Sequence, residues 1–129
     1  MKSLTRTLTL PWGVGRMPAD LRDKFGETVG SGSGLAADLK TWVRDGDSYR
    51  GTIYMLPDRG YNVTGTTDFR ARLYKLSIVF KPTENPGALS ADARQSGVTA
   101  TLADTILLTD AEGQSLTGLD PSQGGVRRA

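Results

Sequence analysis

In the stretch RARLYKLSIVFK, residues 70–81, Arg72, Tyr74, Leu76, Ile78 and Phe80 fall on alternate positions and so share one face of an extended chain. A period of two over this length predicts a strand with one side turned to the core. Working outward, YRGTIYML at 49–56 and GVTATLADTILLT at 97–109 predict further strands, the second of them one strand or two. LAADLKTWV at 35–43 predicts another, joined to YRGTIYML by a hairpin turn at RDGDS. The expected core comprises Tyr54, Leu56, Tyr74, Leu76, Ile78, Phe80, Ile106 and Leu108. SLTRTLTL at 3–10 also alternates and reads as a half-buried strand. MPADLRDKFGETVG at 17–30 predicts one helical turn, opened by Pro18 and stopped by Gly26. Residues 82–95 read as a long loop, DAEG at 110–113 as a turn, and 121–129 as a disordered tail.

Composition agrees with an all-β reading. The 129 residues include sixteen glycines and six prolines, with 37% hydrophobic content, which suits one domain of short strands joined by turns. Sixteen basic and fourteen acidic residues are spread along the chain, so no polybasic segment points to nucleic acid. No window approaches the roughly 20 apolar residues of a membrane-spanning helix. The first residues lack the apolar run of about 7–15 residues that a signal peptide needs. With neither histidine nor cysteine, the chain cannot build Ser-His-Asp or Cys-His catalysis, nor a thiolate or imidazole metal site. The chemistry left to it runs through carboxylates, arginine, lysine, hydroxyls or an oxygen-bound cation such as calcium.

Antiparallel strands at this spacing fit one propeller blade with part of the next, and equally a small barrel. In order along the chain, RDKFGETVGSGSGLAAD, YRGTIYMLPDRGYNVTGTTDFRARLYKLSIVF and DTILLTDAEGQSLTGLD resemble the N-terminal part of the phytase-like proteins with esterase-like activity. The resemblance runs from Arg22 to Asp120, and LPDRGYN followed by FRARLYKLSIVF is its most specific piece. It implies a secreted or periplasmic, β-propeller-like domain that hydrolyses small phosphate or carboxylic esters. Blades of about 40–45 residues would give two to three blade equivalents here, an incomplete propeller. Such a fragment would leave open sheet edges and favour self-association, and the alternative to a hydrolase is a non-catalytic propeller fragment acting as a binding or structural module.

The candidate site is the loop after YRGTIYML. In the functional reading Asp58 is a general acid/base or a hard oxygen ligand, and Arg59 offers a planar fork to a phosphate or carboxylate. Gly60 lets the backbone turn close to a ligand. Arg59, Gly60, Asn62 and Arg72 are the substrate-binding candidates, Asp58 and Arg59 the catalytic ones, and Asp58 with Asp38 the metal candidates. Asp45, Asp47 and Asp68 are further acidic residues able to join a calcium site. In the alternative reading Pro57 to Gly60 is a β-turn, with Asp58 bonded to its own loop and Arg59 solvated. Asp58 is expected within reach of Arg59, Arg72 or a loop amide. The glycine-serine run at 30–34 is either an anion cradle or a flexible connection, and Asn62-Val63-Thr64 is a glycosylation sequon if the chain is exported from a eukaryotic cell. Trp12 and Trp42 are expected in packing.

Overall fold

A computed structural model of the chain describes residues 12–30, 32–58 and 69–117. Four strands, β1 (Gly34–Asp45), β2 (Ser48–Leu56), β3 (Arg72–Phe80) and β4 (Val98–Leu107), form one antiparallel sheet in the order β1-β2-β3-β4. The all-β expectation holds. The described residues supply one four-stranded sheet, fewer strands than two to three blades of four strands require. The predicted strand at 3–10 and the tail at 121–129 lie outside the described residues.

Strand direction gives the sheet two ends. The β1–β2 turn and the β3–β4 connection share one, called here the turn end; the exit of β2 and the entry of β3 share the other, the exit end. The hairpin turn is Gly46-Asp47, since Asp45 and Ser48 are paired. Gly46 takes φ +61°, and no described residue other than glycine has positive φ, so the glycine leads a two-residue turn of the kind that matches strand twist. The β3–β4 connection is not wholly irregular. It holds a 3-10 turn at Pro86–Ala88 and one helical turn, α1 (Ala91–Arg94), capped where the Ser90 hydroxyl accepts the Ala93 N–H at 3.2 Å.

One face of the sheet carries the core. Tyr74, Leu76 and Ile78 are buried, as alternation in β3 requires, and Phe80 is half-buried with its ring 6.3 Å from that of Tyr49. The register places Met55 opposite Tyr74, Ile53 opposite Leu76 and Gly51 opposite Ile78. The core residues of β2 are therefore Ile53 and Met55, while Tyr54 and Leu56 turn to the outer face, where Leu56 is exposed. This reverses the expected phase, because TIYML is apolar at both parities and alternation alone does not choose between them. In β4 a register shift sets Leu102 opposite Leu76 but Asp104 opposite Lys75, so Ala103 is an extra residue. Val98, Ala100 and Leu102 face the core before this bulge, and Thr105 after it. Ile106 is thereby turned outward and exposed, and Leu108, just past the strand, is half-buried.

Trp42 fits the core through a vacancy left by Gly51. A Cβ at Gly51 would overlap the Trp42 ring, so the indole lies on bare backbone. Trp12 is exposed.

A strap, residues 12–30, covers the core face. It begins at the turn end, where Val14 exchanges backbone hydrogen bonds with Arg94 and Val98. Met17, Leu21 and Val29 pack onto the sheet. No helical turn stopped by Gly26 forms; Arg22 and Thr28 instead make an antiparallel bridge around a tight turn with Gly26 at φ +84°. The Asp23 carboxylate takes the N–H groups of Phe25 and Glu27, which competes with helical bonding at this point. The chain then enters β1 through the Ser33 N–H, bonded to the Leu56 carbonyl at 2.8 Å. That N–H is committed to the sheet, so the glycine-serine run leads directly into a strand.

Candidate functional site

β2 ends at Leu56, Pro57 is buried, and Asp58 emerges exposed at the exit end of the sheet. Its placement just past the strand is the expected one. Arg59, Gly60, Asn62, the sequon and Asp68 lie outside the described residues.

Arg72 lies at the same end but on the core face. Its side chain is 1% exposed, and its Nη1 donates to Asp23 Oδ2 at 2.5 Å. Nε donates to the Arg70 carbonyl at 2.8 Å, and the guanidinium lies 4.3 Å from the Phe69 ring centroid and 5.7 Å from that of Phe25. Arg70 also lies against Phe25, 4.7 Å from its centroid. These are the distances of cation–π stacking. An arginine so enclosed is held by its own protein, and Arg72 serves the strap-to-sheet contact instead of a ligand surface.

Asp23 is the residue that sequence reasoning missed. Burial pushes its carboxyl up, but the hydrogen bond from Arg72 and the N–H groups of Phe25 and Glu27 outweigh burial and hold it below the usual carboxylate range. The signal was present in outline: an arginine at a core-facing position of a strand calls for a buried counter-charge. Fourteen acidic residues offered themselves, and nothing local singled out Asp23.

Of the acidic residues suggested for calcium, those described do not converge. Asp38 stands at the register shift of β1, where its carboxylate accepts the Lys40 N–H at 3.3 Å and its carbonyl the Thr41 hydroxyl at 2.7 Å. Asp45 pairs with Arg50 at 3.0 Å and Asp47 with Lys81 at 2.7 Å. Among the described residues no group of three or more carboxylates comes together to hold a metal ion. Asp47 is held below the ordinary range by Lys81 first and Ser48 second, and Asp104 by Lys24 and then the Thr105 N–H. Lys24 and Asp104 meet at 2.7 Å, tying the strap's turn to the β4 bulge.

The outer face of the sheet is polar in its middle and apolar toward the exit end. Gly34, Leu35, Ala36, Tyr54, Leu56 and Leu73 line a shallow groove there, and Ile106 stands opposite Leu73. Nothing among the described residues lies over it. No described helix is long and apolar enough to cross a membrane.

No protein-family model matches the chain. No solved structure matches it. An uncharacterized secreted protein of Arthroderma benhamiae is 37% identical over 115 residues, which cover 88% of this chain and 22% of that protein. The chain thus spans about a fifth of the length of the curated relative it matches. That relative's secretion agrees with the secreted location expected of this chain.

Proposed function

We propose that the chain is one sheet of a larger secreted β protein of the phytase-like, esterase-like kind, in which it acts as a scaffold blade and carries part of an ester-hydrolysing site. The observation that bears most weight is the open sheet: a four-stranded antiparallel meander whose outer face no other described residue covers, and on which Val43, Leu56, Val79 and Ile106 are 53%, 43%, 37% and 39% exposed. Exposed apolar area of this kind favours a neighbouring layer. A propeller blade is such a meander packed between two others. The secreted relative, far longer than the aligned segment, has room for the remaining sheets.

In this reading Asp58 is displayed from the exit end toward a site that other sheets complete. Arg59, Gly60 and Asn62 follow it in the loop as candidate contacts for a small phosphate or carboxylic ester. Calcium stays a candidate only with ligands from outside the described residues, since those described do not assemble a cage. A carboxylate alone, with no described acid, base or charge stabiliser beside it, is a fragment of a hydrolytic site.

The test is turnover of p-nitrophenyl phosphate and p-nitrophenyl acetate by the purified chain, with and without calcium. The expected result is no turnover above buffer. Robust turnover abolished by Asp58→Asn would show a complete enzyme in this chain and overturn the scaffold reading.

A further inference from the structure

At the turn end, away from Asp58, the β3–β4 connection and the start of the strap enclose a cleft of about 240 Å³. Asp58 follows β2 at the exit end, so the nine residues of that strand separate the two places by roughly 30 Å. Pro82, Leu89 and Ala93 give the cleft apolar walls, and Arg94 and Lys81 bring cationic groups to it.

The two cations differ. Lys81 is already paired with Asp47 at 2.7 Å. Arg94 makes no ion pair among the described residues, and its Nε is buried with no hydrogen-bond partner. A buried N–H of a charged group without an acceptor is costly, and its presence calls for an explanation. The Ser96 hydroxyl donates to the Ala93 carbonyl at 2.8 Å, and its oxygen accepts nothing from this N–H. Arg94 is held in place by backbone on both sides: its N–H donates to the Ser90 carbonyl, and its carbonyl accepts the Val14 N–H. The side chain thus rises from a fixed point beside an apolar cavity.

We infer that this cleft binds a small organic anion, with a carboxylate or phosphate head on Arg94 and a compact apolar body against Pro82, Leu89 and Ala93. With a turn of the side chain that uncovers the buried Nε, the acceptor oxygens take the Nε–H and the adjacent Nη–H of the guanidinium fork together, the geometry for which arginine is suited. The volume sets the size. Pockets for drug-sized ligands run from about 300 to 1,000 Å³, so this smaller cleft takes a single ring or a short chain. The inference is independent of the proposed hydrolase scaffold, since it uses neither Asp58 nor the loop after it.

Amide spectra of the 15N-labelled chain, titrated with benzoate, phenyl phosphate, benzamide and inorganic phosphate, provide the test. Benzoate or phenyl phosphate should shift the amides of Thr83, Ala93, Ser96 and Gly97 saturably, and comparison of the two tells which head group is preferred. Neutral benzamide, which keeps the ring, and inorganic phosphate, which keeps only the charge, should each bind at least about tenfold more weakly, as loss of a charge-assisted bond or of the apolar contact implies. Arg94→Gln should weaken benzoate and phenyl phosphate by about the same factor while leaving the β2 and β3 amides unmoved. Arg94→Lys, which keeps the charge but not the fork, should fall between. Absence of saturable shifts, equal binding of benzamide, or unchanged affinity in Arg94→Gln would each overturn the inference.

Discussion

Arg72 shows how much one residue asks of a fold. Its place in the alternation of β3 marked it as core-facing, and a buried guanidinium requires a carboxylate, yet the partner lies 49 residues away in a turn whose own pattern suggested helix. Asp23→Asn should lower stability by about 3–5 kcal/mol, the usual result of leaving one member of a buried pair alone. Replacing both, as Asp23→Leu with Arg72→Met, should cost clearly less than the single change; urea denaturation of the three chains checks the order. The pair also sets an acid limit. Because the folded-state pKa of Asp23 is depressed, its contribution is fully present above the unfolded value of about 3.9 and is lost as pH falls from there through the folded value. Urea midpoints measured from pH 7 down to 2 should therefore drop more in the native chain than in Asp23→Asn over the acid part of that range. Gly51 makes a second demand at this scale. Since its Cβ would overlap the Trp42 ring, Gly51→Ala should destabilise by about 1–3 kcal/mol, with a shift in tryptophan fluorescence as the indole moves.

Among the elements, β3 was the most legible because only one parity of its residues could be buried. β2 was legible as a strand but not in phase: its apolar run left both faces plausible until the cross-strand partners Met55–Tyr74 and Ile53–Leu76 decided it. β4 could not have been phased by any single alternation, since Ala103 changes its parity halfway and nothing in ATLADTIL marks that alanine as extra. The loop at 82–95 hid a capped turn of helix too short to leave a periodic trace. Asp58 was correctly read as a residue just beyond a strand, because Pro57 breaks the ladder before it. The inner and outer strands should differ in protection. Amides of β2 and β3 facing both neighbours should exchange most slowly, and those on the outer sides of β1 and β4 fastest, in native-state hydrogen exchange. Leu76→Ala, in the centre of the core face, should cost about 2–5 kcal/mol, whereas Leu56→Ala, exposed on the outer face, should cost far less.

For the whole molecule, the described residues leave the sheet with one dressed side and one bare side, and its solution behaviour should follow. The isolated chain is expected to self-associate through the groove near Leu56 and Leu73 and through its strand edges; Leu56→Lys with Ile106→Lys should shift sedimentation toward monomer while preserving the β signal in circular dichroism. The dressed side carries a consequence in time. The strap is made first, but the charge at its far end has no mate until Arg72 and the strands around it exist. Its apolar residues Met17, Leu21 and Val29 can slide on an apolar face, whereas Asp23 fits at one place only. Docking is therefore expected on the downhill side of the folding barrier, after the three hairpins have closed. In stopped-flow experiments Asp23→Asn should leave the refolding rate nearly unchanged and put its whole penalty into faster unfolding, so that the last contact to form is also the one that governs how long the folded chain survives.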